Sequence, residues 1–561
     1  MQITQLAPAV LRTLPLRFPV LYRWPLLLAA FAFTATTLAM AAPPAPLAPT
    51  PPMGWNDWAH YQCGYTAQTI LSNARALVRS GLAAAGYRIV TIDDCWMQKG
   101  RDAQGNLQPD PRRFPQGIKS VVQAVHSLGL QFGIYEDAGS STCAGFAGSG
   151  QPQGGGTGYF LQDARLFASW GVDYLKLDGC NVYVPAGSTR EAAYREAYAA
   201  EGAALKAIGR PIIFSESAPA YFQGTPAWYD VLTWVRGYGQ LWREGTDIAT
   251  YDASNPNLPR FPSVLWNYAY NLPLGRFQKP GNWNDADFII AGDSGMTLAE
   301  SRSQFALWSM MSAPLILSSD VTRLSPQAVA ILSNRAVIGV DQDPLGRMAT
   351  LVRRGPSLDV LLKDLNGGDL AVAVLNRSSA PARVNLRSVD LGLRANCKFD
   401  VRNLWNGSQQ PAASGLQARV DPHDTALWRV HPSAACGAPA RLGAITQIAA
   451  GTHRSFDGYT RCLATPGLVE DCAATPQESW TLGPAGELQS SGECLTAANG
   501  RPVMQKCNPS GAQRWIYTRA GNVVSTDGQC LTAISSYGPA PVLSLQPCRH
   551  NVPNQVWSLP N

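Results

Sequence analysis

Residues 172–180 read Val172-Asp173-Tyr174-Leu175-Lys176-Leu177-Asp178-Gly179-Cys180, a short apolar run that ends in a carboxylate and a glycine. Such a run reads as a buried strand whose C-terminal end opens into a polar loop. Side chains alternate along an extended chain, so Lys176 and Asp178 share one face and Leu175 and Leu177 the other. Seven more runs of this kind occur, at 53–55, 87–93, 130–135, 211–215, 241–247, 281–285 and 313–318, separated by amphipathic helical stretches. Eight βα units predict an α/β fold, a (β/α)8 barrel over 50–345, with its active site where the strands' C-terminal ends meet.

Beyond Gly346 the pattern becomes strand after strand, as at 358–362 and 370–375, continuing to 426–430 without a long helical stretch. This predicts a small antiparallel β-sandwich domain over 346–432. A segment of Pro, Ala and Gly, 433–443, reads as a linker. Residues 444–561 then repeat: Cys462-Leu463, Cys494-Leu495 and Cys530-Leu531 are each followed by a second cysteine, Cys472, Cys507 and Cys548, and by a closing Trp480, Trp515 or Trp557. Units this short cannot bury a core singly, so the three must share one.

At the other end, Arg12, Arg17 and Arg23 precede an apolar run over 26–40 and then small residues. That order predicts a secretory signal over 1–41, cleaved after Ala41. The alternative, a membrane anchor, fits less well because a spanning helix needs ~20 apolar residues. Export makes the chain secreted or periplasmic, and an even count of 12 cysteines in an exported chain predicts disulfides. No Cys-x-x-Cys occurs and the six histidines are scattered, so neither a metal nor a cofactor is expected. The chain of 561 residues is 46% hydrophobic and 15% charged, which excludes disorder and coiled coil as the main state. A net charge of +6 with no basic run gives no nucleic-acid footprint. The 16 tryptophans offer flat apolar platforms of the kind that sugars stack on.

The acids at the strand ends carry the chemistry. Lys176 beside Asp178 would keep that carboxylate ionised, as a nucleophile requires, although a structural ion pair explains the same pattern. Asp93-Asp94-Cys95-Trp96 ends the second strand, Trp242-Arg243 with Asp247 the sixth, and Trp283-Asn284-Asp285 with Asp287 the seventh. So many acids at one barrel mouth are costly as structure alone, and two cooperating carboxylates are the minimum machinery for glycoside cleavage.

Residues 53 to 432 resemble glycoside hydrolase family 27, the α-galactosidases and α-N-acetylgalactosaminidases. The resemblance rests on Met53-Gly54-Trp55-Asn56, Asp93-Asp94-Cys95-Trp96-Met97, Asp110-Pro111-Arg112-Arg113-Phe114-Pro115, Gly133-Ile134-Tyr135, Lys176-Leu177-Asp178-Gly179-Cys180, Gly281-Asn282-Trp283-Asn284-Asp285 and Asp341-Gln342-Asp343-Pro344-Leu345-Gly346. It implies Asp178 as nucleophile and Asp247 as general acid/base, and sugar contacts from Trp55, Asp93, Asp94, Tyr135, Lys176 and Arg243. It also implies disulfides Cys63–Cys95 and Cys143–Cys180; Cys397–Cys436, Cys462–Cys472, Cys494–Cys507 and Cys530–Cys548 are expected with them. The expected activity is that of a secreted retaining exo-α-galactosidase acting on terminal α-linked D-galactose of oligo- or polysaccharides. After strand five, Phe214-Ser215-Glu216-Ser217-Ala218-Pro219 departs from the family's usual cysteine, so Glu216 or Ser217 reads the sugar's 2-position. Small residues there could admit a 2-acetamido group. The family also holds β-L-arabinopyranosidases, but Asp94 in place of a longer Glu leaves room for galactose's hydroxymethyl arm. A non-catalytic carbohydrate-binding protein is the rival class; a lectin needs neither a nucleophile nor a proton donor. The expected partner is the sugar substrate, with no nucleic acid and no stable membrane insertion; oligomeric state is not encoded in these patterns.

The Cys-Leu pairs with Gln513-Arg514-Trp515 and Gln555-Val556-Trp557 resemble a ricin-type β-trefoil, a carbohydrate-binding module. Sugar-binding repeats of that type carry Asp after the Cys-Leu pair. Here Ala464, Thr496 and Thr532 stand there, so a structural module with weak or no lectin activity is an equal reading.

Overall fold

The computed structural model describes residues 46–561 except 153–157, 226, 448–460, 466, 472–475, 519, 535–541, 550–551 and 561. The expected signal segment 1–41 lies outside the described residues. Eight parallel strands, β1 (Met53–Asn56), β2 (Ile89–Ile92), β3 (Gln131–Asp137), β4 (Tyr174–Asp178), β5 (Ile213–Glu216), β6 (Leu241–Arg243), β7 (Trp283–Asp285) and β8 (Leu315–Leu317), run in ring order. A parallel bridge from Ile289, just past β7, to Leu317 closes the ring. The strands alternate as the period-2 rule requires. Leu175 and Leu177 of β4 face the helical layer, while Tyr174 packs inward with Ile89, Leu241 and Trp283. Strand β6 ends at Arg243, four residues earlier than the sequence pattern suggests. The chain turns at Gly245, where a Cβ would meet the Gln223 amide at 2.6 Å, and this puts Asp247 on a loop.

The second domain explains why Leu370–Asn376 reads as a continuous apolar run: both its faces are covered. Val372 and Val374 join Val360, Trp428 and Val430 in the domain's own core, while Ala371, Ala373 and Leu375 pack into the barrel's core. The strands form one antiparallel sheet of six and one of two. Buried Lys363, on Leu358–Asp364, donates to the carbonyls of Ser309 and Val340 and to the Ser312 hydroxyl, fastening the sheet to the barrel helices.

Residues 433–443 carry structure of their own. Cys436 is bonded to Cys397, Ala440 donates to the Gly392 carbonyl, and Arg441–Gly443 pairs with Trp480–Leu482. The last domain shows its threefold repeat in one recurring bond: the indole N–H of Trp480, Trp515 and Trp557 reaches the carbonyl of Leu463, Leu495 and Leu531 at 2.6, 2.9 and 2.9 Å. These six side chains share a single core, as a β-trefoil requires. Thr496 and Thr532 are buried, each accepting a bond from Gln513 or Gln555, so their hydroxyls are spent inside the fold. The trefoil sits directly on the barrel: Arg276 lies over the rings of Tyr229, Phe277 and Tyr517, and Val556 joins the barrel core. Disulfides join Cys63–Cys95, Cys143–Cys180, Cys397–Cys436, Cys494–Cys507 and Cys530–Cys548. Cys472, the expected partner of Cys462, lies outside the described residues. No described helix is long and apolar enough to cross a membrane.

Candidate active site

A cavity of about 350 Å³ opens at the C-terminal ends of the barrel strands and collects Asp93, Asp94, Tyr135, Lys176, Asp178, Ser217, Arg243 and Asp247. Lys176 and Asp178 reach it because they share the inward face of β4. The lysine does not bind its neighbour. Its Nζ lies 2.7 Å from Asp93 Oδ2, with the rings of Tyr135 and Phe288 about it. Burial alone would lower its proton affinity, but Asp93 and then Asp178 outweigh that, so the ammonium is held charged. Asp93 Oδ2 also accepts from the Asn56 amide at 2.8 Å. Asp94 accepts from the backbone of Cys95 and Ala144, and burial raises its pKa.

Asp178 is gripped by two phenols. Tyr221 donates to Oδ1 at 2.5 Å and Tyr135 to Oδ2 at 3.2 Å; burial, reinforced by Asp178 itself, pushes both phenols up and keeps them donors. The sulfur of Cys180 lies 3.0 Å from the Tyr221 oxygen, so the Cys143–Cys180 disulfide backs the carboxylate. Asp247 occupies the opposite setting: its side chain is 76% exposed at the cavity mouth and rests on Arg243 at 2.8 Å. What burial it has raises its pKa, but the guanidinium dominates and holds it below the usual carboxylate range. Behind the cavity, burial pushes Asp285 up to about 6 and, with help from Asp178, Asp137 up to about 8.

Two sequence-predicted residues fall elsewhere. Trp55 is fully buried with its indole N–H on the Ser319 carbonyl, and Trp58 lines the cavity instead. Of the two alternatives at the end of β5, Ser217 lines the cavity, whereas Glu216 is buried against Gly239 on the other face of the strand. Its burial without a countercharge raises its pKa. Tyr221 carries no sequence signal. It sits in the 3-10 turn Ala218–Phe222, where no period marks which side chain faces the site. Among the described residues, the only cluster of potential metal ligands is Asp137, Cys143, Asp178 and Cys180, and both its sulfurs are in a disulfide.

An acid-lined cavity at the mouth of a (β/α)8 barrel, followed by a β-sandwich, defines a barrel glycoside hydrolase. The family model described as alpha galactosidase A matches residues 50–343, the alpha galactosidase C-terminal beta sandwich domain 355–430, and the ricin-type beta-trefoil lectin domain 459–557. A probable alpha-galactosidase A of Aspergillus clavatus is 39% identical over 523 residues, 92% of this chain and 94% of that protein. The alpha-galactosidase A of Aspergillus niger is 37% identical over 526 residues, 92% of each. The crystal structure of alpha-galactosidase I from Mortierella vinacea superposes with a TM-score of 0.59 at 30% identity, covering 68% of this chain and 97% of that one. The chain belongs to the α-galactosidase family, glycoside hydrolase family 27.

Proposed function

We propose that the protein is an exported, retaining exo-α-galactosidase that releases terminal α-linked D-galactose from oligo- or polysaccharides, with Asp178 as nucleophile and Asp247 as general acid/base. The observation that carries this reading is one cavity, sized for a small ligand, that holds two carboxylates in opposite settings: Asp178 gripped by tyrosines within, Asp247 exposed at the mouth. In the first step an Asp178 oxygen bonds to the anomeric carbon while Asp247 gives its proton to the departing glycosidic oxygen. In the second, Asp247 takes a proton from the water that attacks the same carbon and releases Asp178. Two inversions give net retention. Asp93, Asp94 and Lys176 would hold the sugar's hydroxyls, and the short side chain of Asp94 leaves space for the hydroxymethyl arm. The α-galactosidase activity named for both Aspergillus relatives supports the choice of sugar.

A second reading rests on Ser217 and Ala220. Both line the cavity and both are small; Ser217 lies in the strand-five segment where the family differs and Ala220 just beyond it, so a 2-acetamido group on the sugar could be seated there. Aryl α-galactoside, α-N-acetylgalactosaminide and β-L-arabinopyranoside, assayed side by side, separate the readings. The galactoside is expected to give the highest kcat/KM; a faster acetamido sugar selects the second reading, and no hydrolysis of any of them returns the protein to the carbohydrate-binding class. Export is supported by the disulfides, and the mature chain is expected to begin at Ala42 on N-terminal sequencing. The domain limits 50–345, 346–432 and 444–561 are proposed as functional units on the same grounds.

A further inference from the structure

We infer that Asp287 is a positioning residue that fixes the general acid Asp247 from two sides. The inference rests on the proposed role of Asp247. Asp287 Oδ1 takes Arg243 Nη1 at 2.9 Å, and the other end of that guanidinium, Nη2, reaches Asp247 at 2.8 Å. Asp287 Oδ2 accepts the backbone N–H of Ile248, the residue directly after Asp247, at 2.6 Å. One buried carboxylate therefore holds both the cation that Asp247 rests on and the peptide that carries it. Asp247 itself is exposed on a loop, so nothing in its own burial would otherwise fix it.

The price is visible in the backbone. Asp287 adopts φ +78°, a conformation that L residues other than Asn and Asp rarely visit. The surroundings hold it there: its N–H donates to Asp285 Oδ1 at 2.9 Å, and the indole of Trp308 donates to its carbonyl at 2.7 Å. Strain kept in place by several bonds at a cavity wall is a mark of pre-organisation. The charge also matters. Arg243 serves two carboxylates, and its attraction for Asp247 is shared with Asp287. Lys176, Asp285, Glu244, Tyr270 and Asp178 are the other titratable groups facing this pair. Without Asp287, Asp247 is the carboxylate still paired with Arg243, with Asp285 acting on it through charge alone, and the acid loses its proton at lower pH.

Asp287→Asn and Asp287→Gly both tolerate the positive φ. In each, the alkaline limb of the kcat/KM profile is expected to move to lower pH. General acid catalysis supplies about 10²–10⁴-fold, so partial misplacement should cost about tenfold more on an unactivated galactoside than on a nitrophenyl one. Formate added to Asp287→Gly should move the limb back. A limb that does not shift, equal losses on both substrates, or loss of the folded state in both variants would overturn the inference. Asp247→Ala keeps the two hypotheses apart: if it shows no leaving-group dependence, the acid assignment fails; if it does and the Asp287 variants do not, only the positioning role fails.

Discussion

Tyr221 Oη stands 2.5 Å from Asp178 Oδ1 and 3.0 Å from the sulfur of Cys180, so a turn after β5 supplies the strongest contact to the carboxylate that ends β4. The bond is strongest when that oxygen carries its full negative charge. With Asp178 as the proposed nucleophile, it would oppose attack, in which charge leaves the oxygen, and assist deglycosylation, in which charge returns.

Tyr221→Phe should therefore slow the second step more than the first. A hydrogen bond to a charged group contributes about 1.5–3 kcal/mol, so kcat is expected to fall roughly 10- to 100-fold by the ~1.4 kcal/mol per decade relation. KM should fall with it as the glycosyl-enzyme accumulates. Steady-state kinetics on an aryl α-galactoside read both; an unchanged kcat would show that Tyr221 is only packing.

Double displacement predicts α-galactose as the first product, and Asp178 as the residue labelled by a 2-deoxy-2-fluoro galactoside. Product NMR and peptide mass mapping test these independently. Initial β-galactose, or label on another residue, contradicts the assignment. Removal of a nucleophile that acts as part of a unit typically costs on the order of 10⁴–10⁶ in kcat, and Asp178→Asn is expected in that range.

Stability should decline from about pH 4 to pH 8. Asp285 and Asp137 have native pKa values near 6 and 8 against 3.8 unperturbed, so the folded state binds protons that the unfolded chain has released. That contribution is fully present below pH 3.8 and is lost as pH rises through each folded value. Buried Lys363, lowered to about 8, acts with the opposite sign and only above that pH. The melting temperature measured at pH 5 should exceed that at pH 8 by several degrees; equal values would mean these carboxyls are ionised in the fold. With Asp247 as the proposed general acid, its pKa held low by Arg243 is expected to put the activity optimum on the acidic side as well.

Truncation after Pro439 should separate stability from chemistry. Every residue lining the cavity lies at or before Phe288, so the truncated protein is expected to keep its kcat on small aryl substrates. It also uncovers Tyr229, Phe277 and the edge of Thr350–Arg354, where Ala444 donates to the Leu351 carbonyl. Exposure of that surface should lower the melting temperature by several degrees. A folded truncation without activity would show that the trefoil contributes to the site.

The sequence by itself determined the barrel, the sandwich, the trefoil repeat and the inward face of β4, because each is a periodic signal: two residues per strand repeat, a fixed spacing of cysteine pairs and closing tryptophans. It also marked Asp178 and Arg243, which end β4 and β6, and Asp93 and Asp94, which follow β2 directly and both reach the cavity because the strand's alternation has ended there. Only the tertiary structure decided the partners. Lys176 turns to Asp93 across 83 positions of chain, Trp55 gives its place on the wall to Trp58, Ser217 faces the sugar cavity while Glu216 does not, and Tyr221 closes on Asp178. Those choices are made in loops, where no period fixes the direction of a side chain, and by carboxylates competing for a few buried donors that sequence neighbours do not supply.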